Sequence, residues 1–204
     1  MTAEVVLFDA DGVIQRTAGN WRERFAAMLD DATDLDAFVA EIFAAERPCL
    51  TGVVDFPTQL AEVLRRWRSR TTVEQALLVW TNIEVDRDVV ELISNLRRSG
   101  VKCCLASNQQ AHRAHYMSGP LGYGSLFDRE FYSCRVGHAK PDVAYFEHVL
   151  ADLGLAPTQA LFIDDVEPNV VSARQVGIPS VHFKANAGVD ELTGHLAAHG
   201  IRVG

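Results

Sequence analysis

Short apolar runs alternate with amphipathic segments along most of this 204-residue chain, and that alternation limits the possible folds more than any other feature. Residues 4–8, 101–106, 130–133, 160–163 and 180–183 are short runs rich in apolar residues, and they read as five buried strands. Segments with apolar residues at three- and four-residue steps lie between them. In 88–98, Val89, Leu92, Ile93 and Leu96 share one face and Gly100 stops the helix. A helix covers 110–117, another opens at Pro141 and ends at Gly154, and two more cover 169–176 and 191–199. Strand–helix units of this length predict an α/β fold: a doubly wound, Rossmann-like parallel sheet with helices on both faces.

Residues 15–83 break the alternation. Stretches 21–30, 35–46, 57–68 and 73–81 all carry helical periodicity, and Trp21, Trp67 and Trp80 fall here. The chain therefore divides into a core, 1–14 with 84–204, and an inserted helical cap, 15–83. Composition narrows the partners. Nineteen basic against twenty-seven acidic residues give a net charge of −8, which opposes nucleic acid and anionic membrane as partners. No apolar run approaches the ~20 residues of a membrane helix, and residues 1–4 lack the basic start of a signal peptide. The four cysteines, Cys49, Cys103, Cys104 and Cys134, show no metal or CxxC spacing and read as reduced thiols of a cytoplasmic protein. Cys103 and Cys104 are strand neighbours and should face opposite sides of the sheet.

Open parallel sheets bind ligands beyond the carboxyl ends of their strands. Those ends carry Asp9-Ala10-Asp11-Gly12, Ser107-Asn108-Gln109 and Asp164-Asp165, and Lys140-Pro141 comes past the third strand, before its helix. Carboxylates held close together repel each other, and a hard cation such as Mg²⁺ removes that cost while accepting phosphate oxygens. Lys140 would balance the remaining charge and hold a phosphate, and Ser107 can donate a hydrogen bond to it. In the Asp-x-Asp pair one carboxylate can attack phosphorus while the other handles the leaving-group proton. Gly12 permits a sharp turn behind the pair.

These motifs, in this order, resemble the haloacid dehalogenase superfamily over the whole chain, in the branch with a small helical cap. Size and spacing resemble sugar-phosphate phosphatases, including those acting on glucose 1-phosphate. The resemblance implies a phosphoric monoester hydrolase working through an aspartyl-phosphate intermediate. Asp9 is then nucleophile and metal ligand. Asp11 is general acid/base and binds Mg²⁺ through its carbonyl. Ser107, Asn108 and Lys140 hold the phosphoryl group, and Asp165 is the third metal ligand. Asp164 is either a metal-site residue or a carboxylate orienting its neighbours, and Asn169 replaces a second acid of the fourth motif. Asp11 favours a phosphatase over a dehalogenase, since a halide leaves without a proton. Phosphonate cleavage by a cap lysine is set aside because residues 15–83 contain none. A dehalogenase, a phosphoglucomutase-type enzyme and a non-catalytic binding protein of the same fold remain as alternatives. The expected partner is a small phosphorylated metabolite, and a monomer and a homodimer fit equally.

Other features have plainer readings. His112 and His115 have metal-compatible spacing but no further soft ligand, and His138 lies two residues before Lys140. Arg65-Arg66-Trp67-Arg68-Ser69-Arg70 reads as the wet face of a helix with Trp67 turned inward. Asp30, Asp31, Asp34 and Asp36 read as a solvated corner, and Ser107 as a helix N-cap. The break at 46–52, with Trp21 and Arg47, is a candidate for substrate selection.

Overall fold

Strand runs with no polar face must be covered on both sides, and here helices do so. The computed structural model describes residues 3–30 and 34–201. The strands are β1 (Val5–Phe8), β2 (Gln15–Thr17), β3 (Ile83–Val85), β4 (Lys102–Ser107), β5 (Arg129–Tyr132), β6 (Ala160–Asp164) and β7 (Ser180–His182). Five form one parallel sheet in the order β5-β4-β1-β6-β7. From the central strand β1 the chain builds outward through β4 and β5, then crosses back to add β6 and β7. The β1/β6 pair is therefore the topological switch point, where a ligand crevice opens.

Beyond the insertion lie α5 (Arg87–Arg98), α6 (Ala111–Ser118), α7 (Tyr123–Leu126), α8 (Ser133–Val136), α9 (Val143–Leu153), α10 (Glu167–Gln175) and α11 (Val189–Ala198). They follow the insertion's own helices, α1 (Trp21–Ala26), α2 (Leu35–Glu46), α3 (Phe56–Arg66) and α4 (Val73–Thr81). Alternate strand residues enter two cores. Val6, Phe8, Cys103, Leu105, Leu161 and Ile163 meet the apolar stripes of α5 and α11. Val5, Leu7, Cys104, Ala106 and Phe162 meet Tyr145, Phe146 and Val149 of α9. Cys103 and Cys104 thus take opposite faces, as the strand period requires.

The insertion has a core of its own. Phe25, Phe38, Ile42, Phe56, Leu60, Val63 and Trp80 form one buried cluster, and the edge-on Phe56–Trp80 pair has ring centroids 4.7 Å apart. Asp55 caps α3 by accepting from the Thr58 amide, and Thr72 with Gln75 forms a capping box at α4. The expectation of helix throughout 15–83 fails at both ends. β2 and β3 pair antiparallel, with Arg16 opposite Glu84 in register and the two bridged at 2.7 Å. Runs of three residues are too short to show a strand period. The helix expected over 21–30 closes at Ala26. In the basic run, Arg65 pairs with Glu62 and Arg66 with Glu41, while Trp67 packs on Phe38 and donates to Glu41 at 2.5 Å. Asp30 and Asp36 pair with Arg70 and Arg22 at the surface; Asp31 lies outside the described residues.

Candidate active site

Register brings the acids together. Phe8 of β1 sits level with Leu105 of β4 and Ile163 of β6, so Asp9, Ser107 and Asp164 emerge at one edge of the sheet. The Asp9 amide donates to the Ile163 carbonyl at 2.9 Å and fixes this level. Asp9, Asp11, Ser107, Asn108, Lys140, Asp165 and Asn169 line a common cleft of about 550 Å³. The positions singled out at the strand ends therefore share one site.

Lys140 is its buried cation. With its side chain 1% exposed, its ammonium donates to Asp9 Oδ1 at 2.9 Å, to Asp164 Oδ2 at 2.6 Å and to the Ala106 carbonyl at 2.7 Å. Asn108 holds its backbone from both sides: its Nδ2 donates to the Lys140 carbonyl at 2.7 Å, and its Oδ1 accepts from the Lys140 amide at 2.9 Å. Asp164 is fully buried and accepts from Asn169 Nδ2 at 3.1 and 3.0 Å and from the Val166 amide at 2.7 Å. Asn169 thus serves Asp164 directly, and Asp164 anchors Lys140.

One lysine does not neutralise this cluster. Burial pushes the Asp9 carboxyl up to about 7 against the pull of Lys140, with Asp164 and Asp11 adding to the rise. Burial and Asp164 likewise raise Asp165. One oxygen from each of Asp9, Asp164 and Asp165 lies within 4.8 Å of the others. An all-oxygen donor set short of positive charge suits a hard divalent cation. Asp165 reaches the cluster because Gly12 lacks a side chain: a Cβ there would lie 2.1 Å from Asp165 Oδ2, and Gly12 has φ +79°. Among the described residues this is the only grouping of three or more such side chains, and His112 and His115 are not part of it. His138 faces Asp142 at 3.7 Å on the surface.

Asp11 occupies a different electrostatic setting. The Arg113 guanidinium clamps it with two hydrogen bonds of 2.7 Å, Gln109 Nε2 adds one at 2.9 Å and Gln15 Nε2 another at 3.1 Å. Partial burial pushes the carboxyl up, but Arg113, Gln109 and Gln15 together bring it below its ordinary value. Arg113 also donates Nε to the Trp80 carbonyl at 3.0 Å, tying this site to α4 of the insertion. Arg113 and Gln15 were not apparent as site residues from sequence, whereas Gln109 stood at a strand end without an assigned role. A signal existed for Arg113: a cation in the first turn of a helix opposes the helix dipole and wants an anionic partner. The expected N-cap at Ser107 is a correction. Gln110 caps α6, accepting from the His112 and Arg113 amides, while Ser107 Oγ accepts from Gln109 Nε2 at 3.1 Å. Ser107 ends β4, and residues 108–110 separate it from the start of α6, too far for capping.

Comparison with known proteins decides the family. The family model for haloacid dehalogenase-like hydrolases matches residues 3–177. The chain belongs to the haloacid dehalogenase-like hydrolases. Among curated relatives, the sesquiterpene phosphatase astK of Aspergillus oryzae is 31% identical over 48% of this chain and 50% of its own length. The D-ribitol-5-phosphate phosphatase of Bacteroides thetaiotaomicron is 26% identical over 68% of this chain and 70% of its own. The chain spans about half of the first of these relatives. A HAD family enzyme from Bacteroides thetaiotaomicron shares the fold with a TM-score of 0.82 at 19% identity, covering 94% of this chain and 98% of that one. The same enzyme in complex with magnesium and inorganic phosphate superposes with a TM-score of 0.78 at 20% identity, over 93% and 98% of the two chains. No helix among the described residues is long and apolar enough to cross a membrane.

Proposed function

We propose that this hydrolase is a Mg²⁺-dependent phosphatase of small phosphate monoesters, with Asp9 as nucleophile. The observation that carries the reading is the lysine-bridged acidic cluster beside an Asp-x-Asp turn. Asp9 is buried and oriented by Lys140, and Asp11 stands two residues on in the same cleft. Names of relatives that act on a sugar-alcohol phosphate and a sesquiterpene phosphate support the phosphate chemistry. Mg²⁺ would be held by Asp9, Asp165 and the Asp11 carbonyl, where it supplies positive charge for the phosphoryl oxygens.

A carboxylate oxygen of Asp9 attacks phosphorus, and the bond from phosphorus to the ester oxygen breaks. The leaving alkoxide takes a proton from Asp11. Arg113 favours the ionised form of Asp11, and the charge of an entering phosphate works against that clamp, raising the carboxyl towards its acid form. In the second half Asp11 removes a proton from water as the water oxygen bonds to phosphorus, and the bond from phosphorus to the Asp9 oxygen breaks, releasing phosphate and the free carboxylate. Ser107 donates to the phosphoryl oxygens, and Lys140, whose three N–H groups are taken by Asp9, Asp164 and the Ala106 carbonyl, offsets their charge. Residues 15–83 act as a cap that excludes bulk water, with the β2–β3 ribbon as its stalk.

The test is hydrolysis of p-nitrophenyl phosphate. Activity should require Mg²⁺, vanish with EDTA and fall by at least 10³-fold in Asp9→Asn, as loss of a covalent nucleophile does. Undiminished turnover in Asp9→Asn or in EDTA would refute the mechanism.

A further inference from the structure

A second cavity, of about 280 Å³, lies between the insertion and the sheet edge. Its wall is largely apolar: Trp21, Phe25, Phe43, Leu50, Val79 and Trp80. It shares Asn108 with the acidic cleft, so a group attached to a phosphate in that cleft has a direct way in. Phe43 is 45% exposed, so its ring forms the open side of this wall.

Three of the five polar residues on this wall are already committed. Both amide atoms of Asn108 hold Lys140. Gln109 Nε2 serves Asp11 and Ser107, and its Oε1 accepts from Arg113. Arg113 donates to Asp11, Gln109 and the Trp80 carbonyl. Glu46 and Thr17 are the other polar residues there. A sugar or polyol would bring several hydroxyls from water into a wall with few groups to receive them, and each unpaired one is costly.

On the phosphatase reading above, we propose that this cavity takes the alcohol portion of the substrate and selects an apolar chain or ring over a sugar. Its volume, at roughly 30 Å³ for a small group, accommodates on the order of nine such groups. Each methylene transferred from water to this wall should tighten binding by up to about fourfold. Arg47, next to Glu46, is solvent-exposed and takes no part in the wall.

The test is a series of ethyl, butyl, hexyl and octyl phosphate, with glucose 1-phosphate alongside. Expected is a rise in kcat/KM of at least a hundredfold from ethyl to octyl phosphate, with glucose 1-phosphate well below octyl. Phe43→Asp, a change at a half-exposed site, should cut the octyl-to-ethyl ratio at least tenfold. A flat series, a preference for glucose 1-phosphate or a ratio unmoved by Phe43→Asp would overturn the assignment. Should no ester be hydrolysed, the phosphatase reading fails by itself. The cavity is then judged by binding. Octyl phosphate should perturb tryptophan fluorescence at concentrations at least a hundredfold below those of ethyl phosphate, and equal affinities would overturn the inference.

Discussion

Replacing Lys140 by Met tests the electrostatic core of the site, because the thioether keeps the apolar stem and removes the charge. The wild-type ammonium touches Asp9, Asp164 and the Ala106 carbonyl. Below pH 7 Asp9 carries a proton in the folded protein, so the substitution mainly unpairs Asp164. Asp164 keeps its bonds from Asn169 and Val166. The loss should therefore fall at the lower end of that for a broken buried pair, about 3 kcal/mol. Above pH 7 a second cost appears. A carboxyl whose folded-state pKa is raised contributes stability that is fully present below its unfolded value and lost as pH rises through the folded one. For Asp9 those values are 3.8 and about 7 in the wild type. Without Lys140 the folded value lies higher, so the variant goes on losing stability where the wild type has stopped. The gap should widen by up to about 1.4 kcal/mol per pH unit. For a chain of this size the loss at pH 6 corresponds to a fall in Tm of about 6–12 °C. Urea unfolding of both proteins in EDTA at pH 6, 7, 8 and 9 measures the gap. A gap that stays constant or narrows towards alkaline pH would refute the pairing of Lys140 with Asp9.

Three further outcomes are expected. Arg113→Met should cost about 2 kcal/mol at pH 7, as for a lost charged hydrogen bond. Asp11's lowered pKa contributes stability present above its unfolded value of 3.8 and lost as pH falls through the folded one, so acid titration should show the difference closing as pH falls below 3.8. Gly12→Ala forces a side chain into a left-handed position and against Asp165, and should cost at least about 1–2 kcal/mol while abolishing the thermal shift produced by Mg²⁺. Burial pushes Cys49 up to about 11 and Cys103 and Cys104 to about 12. A disulfide reagent at pH 8 should therefore leave these three thiols unmodified until denaturant is added.

The sequence determined the sheet and the acid-bearing edge of this protein. Continuous apolar runs such as Val5–Phe8 have one stable use, as strands covered on both faces, and a parallel sheet gathers whatever follows such strands at one end. Asp9, Ser107 and Asp165 were legible as strand-end positions for that reason, because those positions depend on local order and strand direction alone; Lys140 lies beyond α8, and its reach into the site is a matter of tertiary packing. Tertiary structure decided the partners. Whether Asp164 or Asp165 holds Lys140 turns on which way two adjacent carboxylates point, and a pair of identical residues carries no mark of that choice. The clamp on Asp11 joins residues 102 positions apart. The wall of the second cavity joins Trp21 and Phe43 of the insertion to Asn108 and Arg113 of the core. Helical periodicity said that Trp21 and Trp80 are apolar-face residues, but not whether that face meets a neighbouring helix or a ligand. That depends on how the insertion seats on the sheet, which long-range packing sets.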